Sequence, residues 1–102
     1  MATLPLLING RWRAASVTAT FHAENPATGE TLPDAYPVSA WADCDEALTA
    51  ATEAARWLRG GESAERIAQF LTRFAERIEA RKTELVEMAH QETGLALSLI
   101  HI

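Results

Sequence analysis

The feature that most constrains this chain is an apolar stripe in its second half. Ile67, Phe70, Leu71, Phe74 and Ile78 recur at helical period after Ser63, and Leu85, Met88 and Ala89 continue the same phase. A stripe this wide must be covered, and the rest of the chain supplies little cover. Alanine makes up about a fifth of the 102 residues, so the 48% hydrophobic fraction overstates the bulk available. At about 25 cal/mol per Å² buried, each alanine contributes little. The chain has the length of one small domain with a thin core, and its stability alone is expected to be marginal. The stripe is expected to stay largely uncovered.

Ahead of the stripe, Leu6-Leu7-Ile8 and Arg11-Trp12-Arg13 flank Asn9-Gly10. Asn-Gly accepts the positive φ values of a two-residue type I′ turn, so a hairpin is predicted over Leu6–Arg13. Residues 16–20 read as a connector and 21–24 as a short strand. Asn25-Pro26-Ala27-Thr28-Gly29 is a turn, because Pro presets φ and Gly permits positive φ. Residues 30–32 return as a strand, with Pro33 and Pro37 expected to limit the sheet.

A first helix starts between Ser39 and Asp43. Asp43 with Glu46 has capping-box spacing, and Ser39 is an equally fair cap. Ala47, Leu48, Ala51, Ala54, Ala55 and Leu58 share its apolar face, and Gly60-Gly61 ends it. Ser63 is read as the cap of a second helix. Period alone allows one helix from 63 to 93, while Arg81-Lys82-Thr83-Glu84 could equally hide a break. Gly94 suits the C′ position. The pattern is α+β: β-hairpins, then two or three amphipathic helices.

The net charge of −5 and the dispersed basic residues exclude the electropositive footprint of a nucleic-acid binder. Arg73, Arg77 and Arg81 repeat along one helical row, a basic edge awaiting an acidic partner. No apolar run is long enough to span a bilayer, and the first residues lack a signal-like core. A cytoplasmic location is the resulting expectation. The single cysteine, Cys44, excludes an internal disulfide.

Three stretches, Leu7-Ile8-Asn9-Gly10-Arg11-Trp12, Asn25-Pro26-Ala27-Thr28-Gly29-Glu30 and Glu92-Thr93-Gly94, stand in a characteristic order. In order and spacing the chain resembles the opening segment of the NAD(P)-dependent aldehyde dehydrogenase superfamily, over about residues 5–97. The resemblance implies an α+β fragment of an α/β protein, the outer part of the cofactor-binding domain, with residues 1–97 as an incomplete domain. It implies that the helices pack against a doubly wound core laid down later in a longer protein. The parent reaction it implies is attack of a cysteine thiolate on an aldehyde, hydride transfer to NAD or NADP, then glutamate-assisted hydrolysis of the thioester. The parent would act on a small-molecule aldehyde as a homo-oligomer. Phe21-His22-Ala23-Glu24-Asn25-Pro26 and Tyr36-Pro37-Val38-Ser39 are most similar to the branch oxidising 2,5-dioxopentanoate (α-ketoglutarate semialdehyde). Leu95 stands where the family usually continues Glu-Thr-Gly with Lys.

No residue matches a catalytic, cofactor-binding or metal-binding motif of the family, so the chain alone is expected to be inactive and to bind neither nucleotide well. Cys44 sits among Asp43, Asp45 and Glu46, the opposite of the electropositive setting a nucleophilic thiol needs. His22, His90 and His101 share no metal-ligand spacing. Glu92 could be compared with a general base, but in the family Glu-Thr-Gly is a structural helix end, so a local hydrogen bond or ion pair is expected of it. The glycines form neither G-x-G-x-x-G nor a P-loop. Trp12, Trp41 and Trp57 are too dispersed to form a stacking platform and are expected to cover the core. Residues 98–102 depart from the family's polar helical continuation and resemble translated adaptor read-through, so they are expected to be a non-native tail; a genuine apolar terminus is the other reading. The alternative to the whole assignment is a small non-catalytic α+β interaction module that binds a partner through its apolar helical face.

Overall fold

The computed structural model describes residues 3–100. Two β-hairpins precede the helices, as the patterning predicts. Strand β1 (Leu6–Ile8) pairs antiparallel with β2 (Arg11–Arg13), placing Leu6 opposite Arg13 and Ile8 opposite Arg11. Asn9 and Gly10 between them have φ of 52° and 74°, as a type I′ turn demands. Strand β3 (Val17–Glu24) pairs with β4 (Thr31–Ser39). The helices are α1 (Trp41–Leu58), α2 (Ser63–Ala80), α3 (Lys82–Thr93) and a single turn, α4 (Leu97–Ile100).

The second hairpin is longer than expected at both ends. Val17, Thr18 and Thr20 belong to β3 and not to a connector, since β-branched side chains suit a pleated surface. Thr18 Oγ1 also donates to the Val38 carbonyl at 2.9 Å. Strand β4 runs through both prolines. Ala35 O accepts from Leu4 N at 2.8 Å, so the backbone groups of the odd-numbered residues point to the edge away from β3. Pro33 and Pro37 share that parity, and their missing N–H groups cost the β3 ladder nothing.

Residues 63–93 form two helices. Arg81, at φ −109° and ψ 15°, breaks the run without disturbing its apolar period. Its guanidinium pairs with Glu84, so one member of the supposed basic row already has its acidic partner. Ser63 is not an accepting cap. Its hydroxyl lies 2.6 Å from Leu58 O and 2.8 Å from Gly60 O, and it donates to these carbonyls at the end of α1.

The chain divides into two compact units. One comprises residues 1–22 and 33–63, the other 23–32 and 64–102. In the first, β1 lies on the alanine face of α1. Among the described residues Ala35 is the one apolar side chain that is buried. The tryptophans do not cover a core: Trp12, Trp41 and Trp57 are all exposed. In the second unit, α2 is exposed all round beyond Ser63. Ile67, Phe70, Leu71, Phe74 and Ile78 are 38–62% exposed, with Phe70 and Phe74 stacked at 5.8 Å. The stripe is uncovered, as its width against an alanine-rich chain requires.

Candidate functional site

Two of the three stretches that carry the resemblance, Asn25–Glu30 and Glu92–Gly94, meet in the second unit. Asn25 organises its turn with both backbone and side chain. Its N–H donates to Glu30 O at 2.8 Å, its carbonyl accepts from Gly29 N at 2.7 Å, and its Oδ1 accepts from Ala27 N at 3.0 Å. Thr28 Oγ1 accepts from Glu30 N at 3.2 Å, and Gly29 adopts φ 75°. Each motif position thus contributes locally, through an Asx turn, a proline-set φ, a hydroxyl acceptor and a left-handed glycine.

The helix end is built as tightly. Gly94 closes α3 at φ 68°, its N–H donating to His90 O at 3.0 Å. Thr93 Oγ1 donates to Ala89 O at 2.6 Å and accepts from Leu95 N at 3.2 Å. His90 Nδ1 faces the Leu95 carbonyl, an acceptor only, so this nitrogen carries the hydrogen. Gly94 also faces the other motif. A Cβ on it would stand 3.1 Å from Pro26 Cγ and 3.3 Å from Ala27 N. Here glycine is required twice, by its φ and by the turn packed against it.

In the first unit the most organised polar cluster is Arg13, Asp43 and Glu46. Asp43, 3% exposed, accepts from Ser16 N at 2.8 Å and from Arg13 at 2.8 Å. Arg13 also reaches Glu46. Asp43 therefore does not cap α1. The cap residue is Ala40, without a side-chain bond, and Asp43 in the first helical turn joins the helix to residues 13–16. Burial pushes the Asp43 carboxyl up, but the hydrogen bonds from Arg13 and Ser16 together outweigh it and hold the pKa below the ordinary value. Arg13 is raised, by Asp43 first and Glu46 second. Capping-box spacing pointed to these acidic residues in the wrong role, and Arg13 bore no sequence signal for it.

The remaining candidates are scattered. Cys44 is exposed on α1 beside the buried carboxylate. His22 is an exposed residue of β3, and His90 serves the end of α3. His101 lies outside the described residues. Glu92 is exposed, and its side chain makes no hydrogen bond or ion pair with another described residue; Thr93 and His90 make the local bonds expected of it. No group of three or more His, Cys, Asp or Glu among the described residues could hold a metal ion. The groove between the β1–β2 turn and the alanines of α1, about 380 Å³, is shallow and mainly apolar. A dinucleotide needs backbone donors at a glycine-rich strand-to-helix turn. Gly10 and Gly29 serve hairpin turns, Gly94 ends a helix, and Gly60-Gly61 links two helices. The described residues do not fit that group. No described helix is long and apolar enough to cross a membrane.

Comparison with known proteins agrees with the arrangement of turns and helices. Residues 12–101 match the model of the aldehyde dehydrogenase family. Succinate-semialdehyde dehydrogenase [NADP(+)] 2 of Schizosaccharomyces pombe is 35% identical over 91 residues, 89% of this chain and 18% of that protein. DhaS of Bacillus subtilis is 37% identical over 95 residues, 90% of this chain and 19% of DhaS. D-glyceraldehyde dehydrogenase (NADP(+)) of Picrophilus torridus is 32% identical over 91 residues, 89% of this chain and 18% of that protein. The chain spans about a fifth of the length of these relatives. With nearly all of its residues matched, the chain belongs to the aldehyde dehydrogenase family.

Proposed function

We propose that this chain is the opening segment of an NAD(P)-dependent aldehyde dehydrogenase that oxidises a small aldehyde to a carboxylate. The observation that carries the reading is the packed junction of the Asn25–Glu30 turn with Gly94, set in a chain matched to the family over residues 12–101. In this reading residues 1–97 are the outer part of the cofactor-binding domain, residues 98–102 are a non-native tail, and the complete enzyme is a cytoplasmic homo-oligomer. The thiolate, the assisting glutamate and the nucleotide site belong to later segments. What these residues supply is a scaffold: a fixed hairpin turn, a fixed helix end and an apolar stripe that the later core covers.

For the substrate we propose 2,5-dioxopentanoate, supported by the likeness of residues 21–26 and 36–39 to that branch. A semialdehyde also appears in the name of one relative, succinate-semialdehyde dehydrogenase, which favours a carboxylated aldehyde as the class. The test is to read the coding sequence beyond Leu97 and assay the full-length product. NAD(P)H formation with 2,5-dioxopentanoate well above that with succinate semialdehyde or glyceraldehyde supports the substrate. Preference for another aldehyde overturns that part alone. A continuation without a glycine-rich dinucleotide turn and a later nucleophilic cysteine overturns the enzyme reading.

A further inference from the structure

The chain has two asparagines, and their surroundings are opposite. Asn25 precedes a proline, which has no backbone N–H, and its Oδ1 is held by Ala27 N at 3.0 Å. Asn9 precedes Gly10 at the tip of the β1–β2 hairpin, and both residues are exposed. Neither the Asn9 side chain nor the Gly10 N–H makes a hydrogen bond with another described residue. Nothing lies within 4 Å of the place a Cβ on Gly10 would take. The two strands are three residues each, and a two-stranded hairpin that short is marginally stable and opens locally.

We propose that Asn9-Gly10 is a site of spontaneous deamidation and isoaspartate formation in this 102-residue chain. The Gly10 nitrogen attacks Asn9 Cγ, the Cγ–Nδ2 bond breaks, and the proton of the attacking nitrogen leaves with the amide as ammonia. The resulting cyclic imide (a succinimide) takes up water. Opening at one carbonyl gives aspartate, and opening at the other gives isoaspartate. Glycine favours the attack because it has no side chain to crowd the nitrogen. The turn itself gates the reaction. Ring closure needs Gly10 N eclipsed with Asn9 Cβ about the Cα–C bond. Asn9, at φ 52°, is left-handed, and the ψ of about +47° that belongs to that region puts Gly10 N opposite Cβ. The reactive form is therefore the opened hairpin. The two products differ in effect. Asp-Gly suits a type I′ turn as Asn-Gly does, so aspartate leaves the hairpin intact. Isoaspartate routes the main chain through the side-chain methylene, so the loop is no longer a two-residue one and the pairing of Ile8 with Arg11 is lost. Strand β1 then loses its seat on Ala47, Ala51 and Ala54 of α1. The site goes beyond the enzymatic reading and does not rest on it, because it needs only the hairpin and solvent.

Incubation of the purified chain at mildly alkaline pH tests the site, with peptide mass spectrometry to locate amide loss and protein isoaspartate methyltransferase to label the isoaspartyl product. The expected result is amide loss at Asn9 with Asn25 intact, and isoaspartate among the products. Urea should hasten the loss severalfold, because it populates the opened turn. Gly10→Ala should slow it severalfold when both chains are compared in urea, where the turn is open in each and any strain of the variant's fold is irrelevant. Three results overturn the proposal: Asn9 keeping its amide in buffer over the time in which the chain in urea loses it, equal loss at Asn25 and Asn9, or a rate in buffer equal to that in urea.

Discussion

Gly94→Ala is the most informative single substitution in this chain, because glycine there answers to two separate demands. Its φ of 68° lies in the left-handed region, where a Cβ costs about 1 kcal/mol. The new Cβ would also stand 3.1 Å from Pro26 Cγ and 3.3 Å from Ala27 N, closer than an ordinary contact. Moving a packed turn to relieve such crowding costs about 1–3 kcal/mol. Gly29→Ala supplies the control. Its φ of 75° carries the same backbone cost, and nothing lies within 4 Å of its Cβ. The expected losses are about 2–4 kcal/mol for Gly94→Ala and about 1 kcal/mol for Gly29→Ala.

Urea denaturation followed by circular dichroism measures both, with trimethylamine N-oxide added to raise the baseline of a marginal fold. Pro26→Ala in the Gly94→Ala background removes the ring that stands closest to the new Cβ. That double variant is expected to recover about 1 kcal/mol relative to additivity. Equal losses at Gly94 and Gly29, or strict additivity with Pro26→Ala, would refute the claim that the turn and the helix end fit against each other.

Asp43 predicts a pH dependence of the first unit. Its folded pKa is depressed, so its contribution is full above the ordinary carboxylate value of about 3.9 and is lost as pH falls below that value. Asp43→Asn should remove this acid-sensitive step from a stability–pH curve; an unchanged acid limb would count against the buried pair. The chain alone is expected to form no NAD(P)H with aldehydes, 2,5-dioxopentanoate included, and turnover that disappears with Cys44→Ser would overturn the reading of that cysteine. Amide exchange should be faster along residues 64–80 than at the bonded amides of the 25–30 turn, because α2 lacks covering contacts; uniformly slow exchange over 63–93 would instead favour a self-sufficient module.

What was legible in the sequence is what a residue's own backbone preference decides. Asn9-Gly10 and Gly29 announce positive φ, Gly60-Gly61 and Gly94 announce helix ends, and each sits in the structure where that preference places it. What was not legible depends on partners distant in the chain. Asp43 and Glu46 have the spacing of a capping box, but the ligands of Asp43 are Arg13 and Ser16, which no helical spacing reveals. Pro33 and Pro37 read as stops until the parity of Ala35 shows that their missing donors face the outer edge of β4. The break at Arg81 is hidden because the apolar period runs across it undisturbed.

The junction at Gly94 explains why two weak motifs together identified a family. Asn-Pro-x-Thr-Gly needs only a turn, and Glu-Thr-Gly needs only a helix end, so each recurs in unrelated chains. Packed together, they constrain each other. The ring of Pro26 occupies the space that a side chain at residue 94 would need, and the left-handed φ of Gly94 forbids most side chains independently. A position fixed by its own backbone and again by a partner more than sixty residues away tolerates fewer residue types than either demand allows alone. The order and spacing of the two stretches therefore record a tertiary contact, and that contact, more than either string of letters, makes the resemblance specific.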